Sequence, residues 1–236
     1  MDFKGKVVFL TGATRGIGAA IHEALVSAGA TVIGSGTTAQ WPKEINQYYR
    51  ADFSALEGIY ECANYLRTLQ PDILINNAGI NKNAPFVDID PVDFLRIQQV
   101  NLFAPFCLSQ AVIPSMKSKG WGRIVNVSSI WGKVSMEYRA TYSASKFALD
   151  GITLALAQEH AVDGILANCV APGFTDTELT KEMLGEAGIA KLLAKVPIGR
   201  MASPEEIAKL IVWLSSSENT YITGQNIAID GGFSRG

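Results

Sequence analysis

Tyr142 and Lys146 stand four residues apart in the run Tyr142-Ser-Ala-Ser-Lys146. On a helix this spacing puts both side chains on one face, about one turn apart. A free tyrosine has a pKa of about 10 and is a weak base at neutral pH. A neighbouring ammonium favours the phenolate and lowers that value. Lys146 is therefore expected to tune Tyr142 for general acid/base work, which is most efficient with a pKa near the working pH. Ser129 closes the run Asn126-Val-Ser-Ser129, where a strand ends. Its hydroxyl is suited to hydrogen-bond a substrate oxygen.

A second cluster lies near the N-terminus. Val7–Leu10 runs into Thr11-Gly12-Ala13-Thr14-Arg15-Gly16-Ile17-Gly18 and then a helix-like stretch to Ala28. Glycines permit a tight turn and a close approach to a diphosphate, and the helix N-terminus offers free N–H groups and a positive dipole end. The spacing is Gly-x3-Gly-x-Gly rather than Gly-x-Gly-x2-Gly, and its place after the first strand carries the nucleotide reading. An NAD site usually sets Asp or Glu at the end of the second strand, on the ribose 2′-hydroxyl. No acid stands between Glu23 and Glu44, and that strand ends in Gly34-Ser35-Gly36-Thr37-Thr38. Hydroxyls such as that of Thr37 can donate to a 2′-phosphate, and Arg15 is the one cation nearby in sequence. The expected cofactor is NADP(H) in preference to NAD(H). A solvated, unengaged Arg15 is the competing reading.

These residues need elements to hold them. Short apolar runs at Val7–Leu10, Thr31–Ile33, Asp72–Ile75, Arg123–Val127, Leu166–Val170 and Asn226–Ile229 read as strands buried on both faces, with a weaker one at Gln47–Ala51. Helical patterns span 17–28, 55–69, 91–118, 140–162 and 204–216. Ser203, Pro204, Glu205 and Glu206 form a helix start: a cap, a proline in the first turn, acids at the positive end. Pro105 falls inside the 91–118 pattern and predicts a kink or break near Asn101. Strand–helix alternation implies an α/β fold: a doubly wound parallel sheet with helices on both faces, as one domain over 1–236.

Taken together the motifs resemble the short-chain dehydrogenase/reductase family, over essentially the whole chain. Thr11-Gly12-x3-Gly16-x-Gly18 is similar to its cofactor loop, and Asn76-Asn77-Ala78-Gly79 to the signature after its fourth strand. Asn101, Ser129, Tyr142 and Lys146 match its catalytic tetrad, with Ser129 thirteen residues before Tyr142. Pro172-Gly173 with Thr175 and Thr177 resembles the loop at the nicotinamide end. The resemblance implies a single-domain Rossmann-type fold and hydride transfer between a nicotinamide and a carbonyl or alcohol, with no metal. It implies that Tyr142 exchanges a proton with the substrate oxygen, that Ser129 polarises it, and that Lys146 lowers the Tyr142 pKa and holds the nicotinamide ribose. Asn101 would hold a water linking Lys146 to solvent. Asp52 and Phe53 match positions lining the adenine, and Asn77, Ala78 and Gly79 the adjoining ribose wall. The implied assembly is a homotetramer, packed through the 91–118 and 140–162 helices, with Ile222–Phe233 at a second interface.

Within that family the chain is most similar to the 3-oxoacyl-(acyl-carrier-protein) reductase branch, through Thr11–Gly18, Val170–Thr177 and Tyr221-Ile-Thr-Gly-Gln225. Members of that branch carry arginines just before the fifth and sixth strands to dock the acidic carrier. Gly120 and Asp163 stand there in this chain, with Lys117 and Lys119 close by. An acid at that place weakens attraction to an acidic partner. The substrate is therefore left as a small carbonyl or alcohol compound, with an acyl thioester as the narrower alternative and a non-catalytic NADP(H) sensor as the different class. Leu179, Met183, Leu184, Ile189, Leu192 and Leu193 give the segment 174–195 an apolar face, which fits a lid over the pocket or a plain surface helix pair. Trp131, Met136 and Tyr138, between Ser129 and Tyr142, fit a pocket lining and plain packing equally well, and His22 and His160 read as structural.

Composition narrows the remaining classes. Apolar residues are 48% and charged residues 18% of the 236, which excludes a disordered chain. With 20 basic and 22 acidic residues the net charge is −2, and a broad nucleic-acid-binding face is not expected. No apolar run reaches the ~18 residues of a membrane span. Cys62, Cys107 and Cys169 are odd in number and widely spaced, with no disulfide or zinc pattern. Reduced, buried thiols and the lack of a leader-like N-terminus predict a cytoplasmic setting.

Overall fold

The computed structural model describes residues 1–39, 47–178, 180, 188–189 and 192–235. The strands are β1 (Val7–Leu10), β2 (Thr31–Gly36), β3 (Gln47–Arg50), β4 (Ile73–Asn76), β5 (Gly122–Val127), β6 (Ile165–Pro172) and β7 (Asn226–Ile229). They form one parallel sheet in the order β3-β2-β1-β4-β5-β6-β7. Between them run α1 (Gly16–Ser27), α2 (Leu56–Leu69), α3 (Pro91–Gln98), α4 (Ala104–Lys119), α5 (Ala140–His160) and α6 (Pro204–Ser215). This is the doubly wound Rossmann-type architecture expected from the alternation of elements.

Strand residues alternate between two apolar layers. Phe9, Leu74, Ile124 and Ala167 pack with Ile59, Cys62 and Leu66 of α2 and Leu108 and Val112 of α4. Val8, Leu10, Ile73, Ile75, Val125 and Val170 pack on the other face with Ile21 and Leu25 of α1 and Ile207 and Ile211 of α6. Burial on both faces explains why these strands read as unbroken apolar runs. Each fully buried Leu or Ile contributes roughly 1.5–3 kcal/mol. The three cysteines are free and buried within these layers or beside them.

The strand order reverses between β1 and β4. Such a reversal opens a crevice at the carboxyl ends of the strands, where ligands bind in this architecture. The break predicted from Pro105 is real and has a defined form. Residues Gln99–Phe103 form a π-helical turn between α3 and α4, with the Ala104 N–H reaching the Gln99 carbonyl. Pro105 has no N–H for the carbonyl four residues earlier, that of Asn101, and the helix widens there. The helix start at Ser203 also forms as expected, as a capping box with Glu206 that Arg200 braces through both carboxylate oxygens.

Candidate active site

The crevice at the strand reversal is a cleft of about 590 Å³. Gly12, Thr14, Arg15, Gly16, Ile17 and Gly18 form one end of it, with Thr37 after β2 beside them. Asp52 and Phe53 line it after β3, and Asn77, Ala78 and Gly79 after β4. Ser129, Tyr142 and Lys146 stand at the far end with Pro172, Gly173, Thr175 and Thr177. All the sequence-predicted cofactor residues therefore come to one surface. Asn101 alone among the predicted set lies behind it, fully buried.

The glycine turn is held by Asn77. Its amide donates to the carbonyls of Thr11 and Gly12, at 3.1 and 2.9 Å, and the Thr11 hydroxyl accepts from the N–H groups of Asn77 and Ala78. A Cβ on Gly18 would lie 1.9 Å from the Gly12 carbonyl oxygen, and one on Gly12 would lie 2.9 Å from Ala78 Cα. Only hydrogen fits at these two places. The turn and the first N–H groups of α1 thus form an open backbone cradle suited to a diphosphate.

At the far end, Lys146 is buried, and its Nζ donates to the Val127 carbonyl at 2.7 Å and lies 5.5 Å from the Tyr142 ring centroid. Burial pushes its pKa down to about 8. Tyr142 is pushed up to about 12 by burial, against a hydrogen bond with Ser129 and the charge of Arg139, both of which pull it down. This corrects one expectation: in the protein alone, Ser129 and Arg139 rather than Lys146 oppose the rise. The Lys146 ammonium is turned to a main-chain carbonyl, and the low dielectric penalises the phenolate more than the charges nearby repay. Asn101 grips the backbone of Ile80. Its Nδ2 donates to the Ile80 carbonyl and its Oδ1 accepts from the Ile80 N–H, both at 2.9 Å, and Nδ2 also reaches Ser145 Oγ at 3.1 Å. The π-helical turn thereby ties the wall after β4 to α5.

Some lining residues escaped the sequence reading. Arg96 lines the cleft, and Glu178 lies 3.9 Å from Arg15 across its mouth. Arg15 is not the only cation at the end of β2: register Gly36↔Arg50 brings Arg50 of β3 beside the cleft, outside its lining, and its Nε donates to the Thr37 carbonyl at 3.3 Å. Of the two readings open for Trp131, packing fits: it is buried against Phe174 and Phe233, whereas Met136 and Tyr138 are exposed, and none of the three lines the cleft. Of the apolar face expected over 174–195, Ile189, Leu192 and Leu193 are half-buried, and Leu179, Met183 and Leu184 lie outside the described residues. No group of three or more His, Cys, Asp or Glu suited to a metal ion occurs among the described residues, and no helix there is long and apolar enough to cross a membrane.

Fold and cleft define a dinucleotide-binding protein with a serine, a tyrosine and a lysine at one end of its crevice. Comparison with known proteins agrees. A family model described as enoyl-(acyl carrier protein) reductase matches residues 12–234. The chain is 38% identical over 242 residues to 3-oxoacyl-(acyl-carrier-protein) reductase FabG of Salmonella typhimurium, covering 98% of each. Among solved structures it is similar to a putative NAD(P) dependent gluconate 5-dehydrogenase from Beutenbergia cavernae with bound NADP, at TM-score 0.93 and 34% identity, over 98% of each chain. A putative 2-deoxy-d-gluconate 3-dehydrogenase from Agrobacterium tumefaciens with bound NADP matches at TM-score 0.91 and 31% identity, over 98% of this chain and 97% of that one. The chain belongs to the short-chain dehydrogenase/reductase family, in the branch similar to the 3-oxoacyl-(acyl-carrier-protein) reductases. It is an NAD(P)-dependent oxidoreductase working between carbonyls and alcohols.

Proposed function

We propose that the protein is a single-domain NADP(H)-dependent reductase of a small carbonyl compound, with Tyr142 as its general acid/base. The observation that carries this reading is that Ser129, Tyr142 and Lys146 meet at one end of the cleft that begins at the glycine cradle, with Lys146 Nζ 5.5 Å from the Tyr142 ring on the same helix face. Bound NADPH supplies the hydride to the carbonyl carbon. Ser129 orients the carbonyl oxygen, and Tyr142 gives it the hydroxyl proton, so that an alcohol forms. In the reverse direction Tyr142 takes that proton back. Lys146 is cationic at neutral pH and stands 5.5 Å from the Tyr142 ring, beside the phenolate left behind. Asn101 keeps the Ile80 wall in place beside them.

The cradle fits a diphosphate, and the end of β2 fits a 2′-phosphate better than a bare ribose. No acid stands there, the Thr37 hydroxyl is at hand, Arg15 at the start of α1 lines the cleft, and Arg50 at the end of β3 reaches the Thr37 carbonyl. Asp52 and Phe53 line the adenine, and Pro172, Gly173, Thr175 and Thr177 the nicotinamide.

The FabG relatives favour a second, narrower reading, a 3-oxoacyl-(acyl-carrier-protein) reductase. Against it, the cations near the carrier-docking positions are already engaged. Lys117 pairs with Asp163 at 3.1 Å and Lys119 with Asp72 at 2.8 Å. A free-standing carbonyl compound is the preferred substrate. The assembly proposed is a cytoplasmic homotetramer, supported by exposed Phe106 on α4 and by Phe147 and Leu154 on α5. The test is loss of NADPH absorbance with a panel of ketoses, diketones, keto acids and acyl thioesters, with the alcohol formed in equal amount. Tight NADPH binding without turnover of any of them would instead make the protein a cofactor sensor.

A further inference from the structure

Arg139 is 8% exposed, yet it has no acidic partner within ion-pair distance among the described residues. Its Nη1 donates to Asn83 Oδ1 at 2.9 Å, and its guanidinium carbon lies 5.4 Å from the centroid of the Trp131 ring. Both partners are neutral. A buried charge held only by neutral groups is costly.

The chain accepts two further costs to put it there. Arg139 is the N-cap residue of α5, at the positive end of a 21-residue helix, where an anion is favoured and a cation repelled. Its side chain caps no N–H group of that helix. Tyr138, the residue before, has a φ of +67°, in the left-handed region that side chains other than glycine rarely adopt. Broken local rules with no compensating contact gather at functional positions.

Arg139 lies just behind the reacting end of the cleft, stacked on Trp131, which stands two residues after Ser129. Arg139 stands three residues before Tyr142, and its charge acts on the Tyr142 hydroxyl. Asn83 follows Ile80 and Asn81, which line the cleft. Tyr142 keeps its proton at neutral pH, so it supplies no resting negative charge to balance the guanidinium. Among the described residues, no anion balances the guanidinium.

We propose that Arg139 receives a carboxylate of the substrate, so that the enzyme acts on keto acids and the matching hydroxy acids rather than on neutral carbonyl compounds. One guanidinium balances one carboxylate, and its planar fork matches that group. A phosphate would carry charge to spare. This rests on the carbonyl–alcohol reading above and narrows its substrate.

The test measures kcat and KM with NADPH for keto acids of graded chain length, each beside its methyl ester, in wild type, Arg139→Gln and Arg139→Lys. For the keto acid of best-fitting length, wild type should favour the acid over its ester by about 30-fold or more in kcat/KM, the size expected for one buried charge pair. In Arg139→Gln the rise in KM should fall on the acid and bring that ratio near unity, and Arg139→Lys should restore part of it. Equal use of acid and ester by wild type overturns the proposal, and that comparison needs no variant to fold. So does an Arg139→Gln enzyme that loses kcat on both alike with a shifted pH profile, since the arginine would then act only on Tyr142. If neither acid nor ester is reduced, the carbonyl reading falls and takes this one with it.

Discussion

Asn101 and Ile80 are joined as two strands would be: one side-chain amide meets both the N–H and the carbonyl of one residue, each at 2.9 Å. The link runs from the π-helical turn to the wall after β4, and Asn101 also reaches Ser145 on α5. Replacing Asn101 with Ala leaves these groups without partners and should cost about 3 kcal/mol in urea unfolding. Asn101→Asp should not rescue it, because a carboxylate can accept from the Ile80 N–H but cannot donate to its carbonyl.

The glycine cradle makes a steric prediction. A methyl group at Gly18 would sit 1.9 Å from the Gly12 carbonyl oxygen and 2.6 Å from Asn77 Nδ2. Gly18→Ala must open the turn. We expect a stability loss of about 3 kcal/mol and a fall in NADPH affinity, measured by thermal unfolding and by cofactor fluorescence.

Much of this site was legible because its pieces are contiguous. Thr11–Gly18 lies in one turn, and Tyr142 and Lys146 lie on one helix face, so spacing alone reports them. Arg50 was not legible, since it reaches Thr37 only through the β2–β3 register, and β3 is a weak strand in sequence. The break near Asn101 followed from Pro105, but its π-helical form depends on how the two flanking helices pack. Arg139 left a readable trace that went unused: an arginine where a helix of this length wants Ser, Asp or Asn as its cap. The spacing placed Lys146 and Tyr142 on one helix face, but the lowered Tyr142 pKa expected from it does not appear in the protein alone, because spacing does not show that burial dominates both groups.

Cofactor choice can be read from two cations. Arg15→Gln and Arg50→Gln should each raise the NADPH Kd about 3–10-fold, as exposed charge contacts do, while the Kd for NADH changes little. Isothermal titration with both cofactors measures this. An equal effect on NADH would place both arginines away from the 2′-phosphate.

The pH dependence has a definite sign. Tyr142 stays protonated well above neutral pH, so reduction has its acid while alcohol oxidation lacks its base. The kcat/KM for oxidation should climb with pH, and that for reduction should fall as Lys146 loses its proton near pH 8. Stability follows a related rule. The Lys146 pKa of about 8 lies below its unfolded value of about 10.4, so between them the unfolded chain binds more protons. Wild type should gain stability relative to Lys146→Met as pH rises through that window, as seen by denaturant unfolding at its two ends.

The proton role of Tyr142 is the centre of the account, and one substitution isolates it. Tyr142→Phe keeps the ring and removes the hydroxyl at the end of the cleft that Ser129 and Lys146 share. NADPH binding and carbonyl turnover should be measured on the same preparation of this variant and of wild type. The account predicts an NADPH Kd within about twofold of wild type and a kcat lower by about 10²–10⁴-fold, the contribution of a positioned acid. A variant that binds NADPH and turns over at the wild-type rate would contradict it.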